Sequence, residues 1–196
     1  MSLLLETEIH ADTLDRARAG DGAAHATLYA NLAGPLYTLI RRLVVRPAVA
    51  EELLQDVFVE ILRNLAAYNG SGSFAGWVRS IAVSKALMHL RSPWHRRLLS
   101  MEADGVRSLA ELAQVPEEGA DCGGSELEAA LNRLSATARS VVWLHDVEGY
   151  THQEIARLFG RTASFSKSQL ARAHEQLRQA LEFPTDGLVC TPPLRS

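Results

Sequence analysis

The chain has 196 residues and a hydrophobic content of 47%, which fits a globular protein of one large domain or two small ones. Its net charge of −3 excludes a polycation, so any cations that bind nucleic acid must be segregated along the chain. All basic residues but Lys85 and Lys167 are arginine.

The opening segment MSLLLETEIH has no basic stretch and no long apolar core, so it does not read as a secretory signal. No run approaches the ~18 apolar residues of a membrane span, and the protein reads as cytoplasmic. Apolar residues recur at helical spacing nearly throughout, and strand signals are almost absent. Asp12 to Tyr29 is predicted as one helix with a break near Gly20–Gly22, and Leu32 to Val45 as a second that ends before Pro47. A third runs from about Ala48 to Ala66. Its apolar set, Ala50, Leu53, Leu54, Val57, Phe58, Ile61 and Leu65, shares one face, with Glu52, Asp56, Glu60 and Arg63 opposite. Tyr68 to Ser73 is a loop by composition, and a fourth helix spans Phe74 to Arg91.

From Leu98 to Gly124 the chain turns acidic and rich in glycine, and reads as a linker with a short helix near Ser108 to Leu112. Ser125-Glu126-Leu127-Glu128 is a capping box that restarts the helical pattern. The expected fold is all-α: two small helical domains, 9–97 and 125–183, joined by an acidic flexible linker, 98–124, with a loose tail, 184–196. Cys122 and Cys190 sit in no CxxC or zinc spacing and read as reduced thiols.

Charge is patterned. Between Glu60 and Glu102 there is no acid, while Arg63, Arg79, Lys85, Arg91, Arg96 and Arg97 fall in that window. The window from Glu102 to Glu128 is dense in acids and holds one base, Arg107. Tyr150 to Arg178 is basic again. One such cluster is most simply a solvated face; two, one on each expected domain, favour a polyanion, because a carboxylate beside each phosphate contact would oppose it.

Thr151-His152-Gln153-Glu154 is a second capping box. The short helix it starts ends at Gly160, suited to a left-handed C-cap, and a longer helix follows from about Ala163 to Leu181. Short helix, glycine turn and long helix are the layout of a helix-turn-helix, although an ordinary helical hairpin shares it. The expected buried stripe is Leu170, Ala173, Leu177 and Leu181. Arg161, Ser164, Phe165, Ser168 and Arg172 lie away from it, with Lys167 and Gln169 at its edges. These side chains suit base edges, phosphates and, for Phe165, a thymine methyl. The cluster His145/Asp146/His152 lacks metal-ligand spacing, and no phosphate loop or nucleophile elbow is present, so an enzyme is the weakest reading and no metal or cofactor is expected. A ligand-sensing helix-turn-helix regulator and an adaptor that binds only proteins are the rival readings.

Together these segments resemble a bacterial extracytoplasmic-function (ECF) sigma factor. Ala50-Glu51-Glu52-Leu53-Leu54-Gln55-Asp56-Val57-Phe58 is similar to that family's helix for the polymerase clamp. Ser73-Phe74-Ala75-Gly76-Trp77-Val78-Arg79-Ser80-Ile81-Ala82 and His89-Leu90-Arg91 resemble the two ends of its promoter −10 helix. Asp146 to Ala156 resembles the lead-in to the −35 helix-turn-helix, and Lys167, Ser168, Leu170, Arg172 and Ala173 fit its recognition helix. The resemblance implies a factor that binds core RNA polymerase (β′ clamp and β flap) and directs initiation at −10 and −35 elements, with an anti-sigma protein as a further partner and no small-molecule substrate. It implies that Glu52, Gln55 and Asp56 dock on the polymerase. It implies that the loop bearing Asn69, Ser71 and Ser73 holds a flipped base, and that Arg79, Lys85, His89 and Arg91 lie along −10 DNA. Arg161, Ser164, Phe165, Lys167, Ser168, Gln169 and Arg172 would meet the −35 element. The acidic linker would thread toward the RNA exit path. Trp77 reads as core. Ser84, Met88, Arg161, Ser166 and Gln169 depart from the family pattern and bear on promoter preference.

Overall fold

The computed structural model describes residues 7, 9–70, 72–92 and 126–182. Ser71, the expected linker, the tail and the short helix near Ser108 lie outside them, as does Ser125 of the first capping box. Every regular element among the described residues is helical.

The first unit comprises α1 (Ala11–Arg18), α2 (Gly22–Leu43), α3 (Pro47–Asn64) with a 3-10 turn at Leu65–Ala67, and α4 (Phe74–Arg91). The sequence placed a break between Tyr29 and Leu32, but α2 is continuous there. The break read near Gly20–Gly22 is present: Gly20 stands at φ +84, after which the Asp21 carboxylate caps α2 by accepting from Ala23 and Ala24 N–H at 2.8 and 3.4 Å. Hydrogen bonding to Arg16 and to those amides holds the Asp21 carboxyl below its ordinary value. Pro35 lies inside α2 and removes one helical hydrogen bond. Leu28, Leu32, Leu36, Leu39, Ile40 and Leu43 run through that point fully buried, and each such side chain contributes about 1.5–3 kcal/mol of burial, enough to offset a proline cost of about 3 kcal/mol. The expected apolar face of α3 is the buried one, and α2, α3 and α4 pack on one another.

The second unit comprises α5 (Glu126–Arg133), α6 (Ala136–Val142), a π-helical turn (Trp143–Val147), α7 (His152–Phe159) and α8 (Ala163–Glu182). Helix α8 packs on α5, α6 and α7. Leu170, Ala173 and Leu177 are buried as the periodicity required, but Leu181 is 40% exposed, while its neighbour Ala180 packs against the core. The two units touch: α2 meets α6, and α4 meets α7.

Candidate polymerase and promoter interface

Helix α3 carries Glu52, Gln55 and Asp56 on its solvent face, all three exposed. Among the described residues they make no ion pair, in contrast to Glu60, which is held 3.2 Å from Lys85 Nζ. That contact, through the hydrogen bond and the ammonium charge, lowers the Glu60 carboxyl below its ordinary value. Val59, one turn on from Gln55 and Asp56, is 45% exposed, and Leu62 lies beside it. The stripe is therefore acidic with an apolar end. Sequence reading missed Val59; an apolar residue interrupting the polar side of an amphipathic pattern was the available signal.

The loop before α4 is shaped by Gly70 and Gly72, both at φ +80. Tyr68 hydroxyl donates to Gly72 O at 2.8 Å, and Arg18 donates to Tyr68 O, tying the loop to α1. An open cleft of about 580 Å³ lies between loop and α1, lined in part by Tyr68, Gly70, Gly72 and Ser73. Ser73 Oγ accepts from Gly76 N–H at 3.0 Å, so it is the N-cap of α4 as well as a loop residue. A Cβ at position 76 would stand 2.9 Å from that oxygen, which is why glycine fits there. Trp77 is half-buried against Phe74 and Tyr68, consistent with a packing role.

Of the expected −10 cations, Arg91 is exposed and Lys85 pairs with Glu60. Arg79 points into the second unit. Its Nη1 donates to Glu148 O at 3.0 Å, lies 3.5 Å from the Glu148 carboxylate, and its guanidinium stands 4.8 Å from the Tyr150 ring centroid. Burial pushes the Tyr150 phenol up. Helices α4 and α7 thus face each other, which no linear pattern signalled.

In the second unit the capping box is complete: Thr151 Oγ1 accepts from Glu154 N–H, and the Glu154 carboxylate accepts from Thr151 N–H at 2.8 Å. These bonds hold the Glu154 carboxyl below its ordinary value. Gly160, at φ +61, ends α7. Thr162 Oγ1 then accepts from Phe165 N–H at 3.2 Å, a cap on α8 that the sequence reading did not single out. Ser164, Lys167, Ser168 and Arg172 are exposed on one side of α8, and Gln169 is half-buried. Phe165, expected to face outward, is half-buried against Phe159 and under Arg161. Burial of its ring is more favourable than solvent exposure, and its first-turn position lets it reach back over α7. Ser166 is fully buried, where its hydroxyl meets His152 Nδ1 at 3.0 Å. His152 stacks on His145 at 4.5 Å, and Asp146 accepts from His145 at 2.8 Å and His174 at 2.6 Å. Desolvation, then the neighbouring His145 and Lys167 charges, push the His152 imidazole below its ordinary value. Among the described residues no three side chains are placed to hold a metal, and no helix is long and apolar enough to cross a membrane.

The two helical units, one with a polar docking stripe and a cation-bearing helix and the other with a capped helix-turn-helix, define a two-domain DNA-directed transcription factor. The family models for sigma-70 region 2 and sigma-70 region 4 match residues 28–96 and 125–177. The chain is 29% identical to the RNA polymerase sigma factor CarQ of Myxococcus xanthus over 86% of this chain and 95% of that one. It is 31% identical to the ECF sigma factor SigE of Mycolicibacterium smegmatis over 74% of this chain and 57% of that one. Among solved structures it shares the fold of CnrH, determined in complex with the cytosolic domain of CnrY, at a TM-score of 0.50, 20% identity and coverage of 90% and 97% of the two chains. The chain belongs to the ECF sigma factors of the sigma-70 family, which direct promoter-specific initiation by RNA polymerase.

Proposed function

We propose that residues 9–97 bind core polymerase and the −10 element, that 125–183 bind the −35 element, and that 98–124 connect them inside the polymerase. The carrying observation is the exposed stripe Glu52, Gln55, Asp56 and Val59 on one unit together with the exposed Ser164, Lys167, Ser168 and Arg172 on the recognition helix of the other. The acidic stripe, free of ion pairs to the described residues, suits a basic surface on the clamp, with Val59 supplying an apolar anchor. The cleft beside Gly70, Gly72 and Ser73 suits an unstacked base, with Asn69 and Ser71 on the same loop.

Lys167, Arg172 and Arg161 take phosphates, Ser164, Ser168 and Gln169 take base edges or water, and Phe165 positions the helix rather than reading a thymine. Arg79, Lys85, His89 and Arg91 track −10 DNA once Arg79 leaves Glu148. The factor does no covalent chemistry, requires no cofactor and works in the cytoplasm. Its partners are the polymerase β′ clamp and β flap, promoter DNA and an anti-sigma protein. CnrH was solved with the CnrY cytosolic domain, and a similar partner here would hold the closed pair of domains.

The test is transcription in vitro with core enzyme and a library of promoter fragments, followed by start-site mapping. Start sites that appear only when both proteins are present, and share −10 and −35 sequences, are expected. Tight specific duplex binding by the chain alone, without core-dependent initiation, would replace this reading with a regulator that acts without polymerase.

A further inference from the structure

We propose that the seam between the two domains is a binding site for a small dianionic oxyanion of the phosphate-monoester class. The seam holds a cavity of about 260 Å³ with walls from α2, α5, α6 and the π-helical turn. Arg41 and Arg42 reach it from the first domain, Arg139 and Trp143 from the second, with Tyr37 as a further wall. Three guanidinium groups face one carboxylate, that of Glu128, which is already 3.3 Å from Arg42 Nη1. The Arg42 guanidinium lies over the Trp143 ring at 4.9 Å, which fixes its plane.

Arg139 is the decisive residue. It is 6% exposed, and its Nε has no hydrogen-bond partner among the described residues. Burial, then the nearby Arg41 charge, disfavours its cationic form, yet arginine does not deprotonate near neutral pH. A buried arginine without a counter-ion is a costly arrangement for a fold to retain. The Arg139 Nε is closed off from solvent, and only an anion at the cavity cancels the repulsion from Arg41. Arg41 Nη1 also meets Val45 O at the cavity wall.

Among the described residues, counting Arg41, Arg42 and Arg139 against Glu128 leaves two positive charges in excess, the complement of a phosphate dianion. Planar guanidinium forks match phosphate oxygens, and the cavity is slightly smaller than the ~300 Å³ lower bound of drug-sized pockets. The ligand is therefore a bare phosphate or a phosphate ester with a compact organic part lying against Trp143 and Tyr37. Because its contacts come from both domains, occupancy ties α2 to α6 and holds Arg79 against Glu148.

Binding is tested on the full chain alone, so the outcome does not depend on whether it initiates transcription. Calorimetric titration with inorganic phosphate, and separately with phenyl phosphate, is run against sodium chloride of matched ionic strength. Both anions are expected to bind one per chain, and phenyl phosphate more tightly. Arg41→Gln should weaken binding about tenfold, the loss of one charge-assisted contact. Arg139→Met should abolish binding and yet raise the melting temperature in phosphate-free buffer, because it removes a buried uncompensated charge. A structural role alone would lower that temperature.

Heat indistinguishable from the chloride control, or equal affinity in Arg139→Met and the parent, overturns the proposal.

Discussion

Asp56 and Gly160 show how much a single position decides. Asp56 is exposed and makes no ion pair to the described residues, so charge reversal there costs the fold nothing identifiable. Asp56→Arg is expected to raise the dissociation constant for core polymerase about tenfold or more while leaving the circular dichroism spectrum and melting temperature unchanged. Fluorescence anisotropy with core enzyme measures it, and unchanged affinity removes the docking assignment. Gly160 sits at φ +61 with only Arg91 Nη1, at 3.9 Å, near its would-be Cβ. Gly160→Ala therefore costs conformational strain alone, about 1–2 kcal/mol, read as a melting temperature several degrees lower. A melting temperature equal to that of the parent would mean that the turn is not held in this conformation. Gly160 was legible in the sequence because its spacing after the capping box admits little else. Ser166 was half legible: helical angle put it on the buried stripe, but its partner, His152, lies on another helix.

At the scale of elements, the proposed −35 role divides α8 into residues that hold phosphate and residues that read bases. Lys167→Ala and Arg172→Ala should each weaken −35 DNA binding across all sequences and lower the salt slope by about one. Ser168→Ala should instead change promoter preference. Equal salt slopes in parent and Arg172→Ala would take Arg172 off the phosphate backbone. The junction of α7, α8 and the π-helical turn carries a pH dependence. His152 faces His145 and Asp146 on the turn and Lys167 and Ser166 on α8.

Its folded value lies below the ordinary 6.5, so the unfolded chain binds that proton more readily. The stability is therefore full above pH 6.5 and is lost as pH falls below it. Asp146 acts in the same sense at lower pH: burial opposes its charge, but hydrogen bonds from His145 and His174 outweigh burial and hold its carboxyl below 3.8. The parent is expected to lose more melting temperature between pH 7.5 and 5.5 than His152→Gln, which can still reach Ser166. Equal losses would assign the acid sensitivity elsewhere. The helices themselves were legible from periodicity and caps, α4 to the residue. The break near Gly20–Gly22 was legible from its glycines, but a second one was placed between Tyr29 and Leu32, where α2 is continuous, because periodicity averages over a turn.

For the whole molecule, the contact between the domains is the consequential feature. Arg79 cannot touch DNA while its guanidinium sits on Glu148 and Tyr150, so the −10 role proposed for it requires the α4–α7 contact to open. Dyes on Ser80→Cys and Arg157→Cys, with Cys122 and Cys190 replaced by serine, should report a longer distance when core polymerase and promoter DNA are added. An unchanged distance would mean that the domains stay closed on DNA, and that Arg79 is an interface residue instead.

The sequence by itself determined the all-helical class, the helix-turn-helix with its capping box and glycine turn, the segregation of cations from acids, and the family. Each of these is local: it depends on spacing within a few helical turns or on composition over a few dozen residues. Only the tertiary structure decided that Arg79 faces Glu148, that Phe165 turns inward, that Leu181 runs past the core, and that Arg139 is buried at a seam with Arg41. The contacts of Arg79 and Arg139 join residues far apart in the chain, and the burial of Phe165 depends on how α7 and α8 pack; one chain's periodicity carries no term for either. The same reason bears on the helix-turn-helix. Its layout was legible from one end of the chain, but that its first helix lies against α4 depends on the domain at the other end.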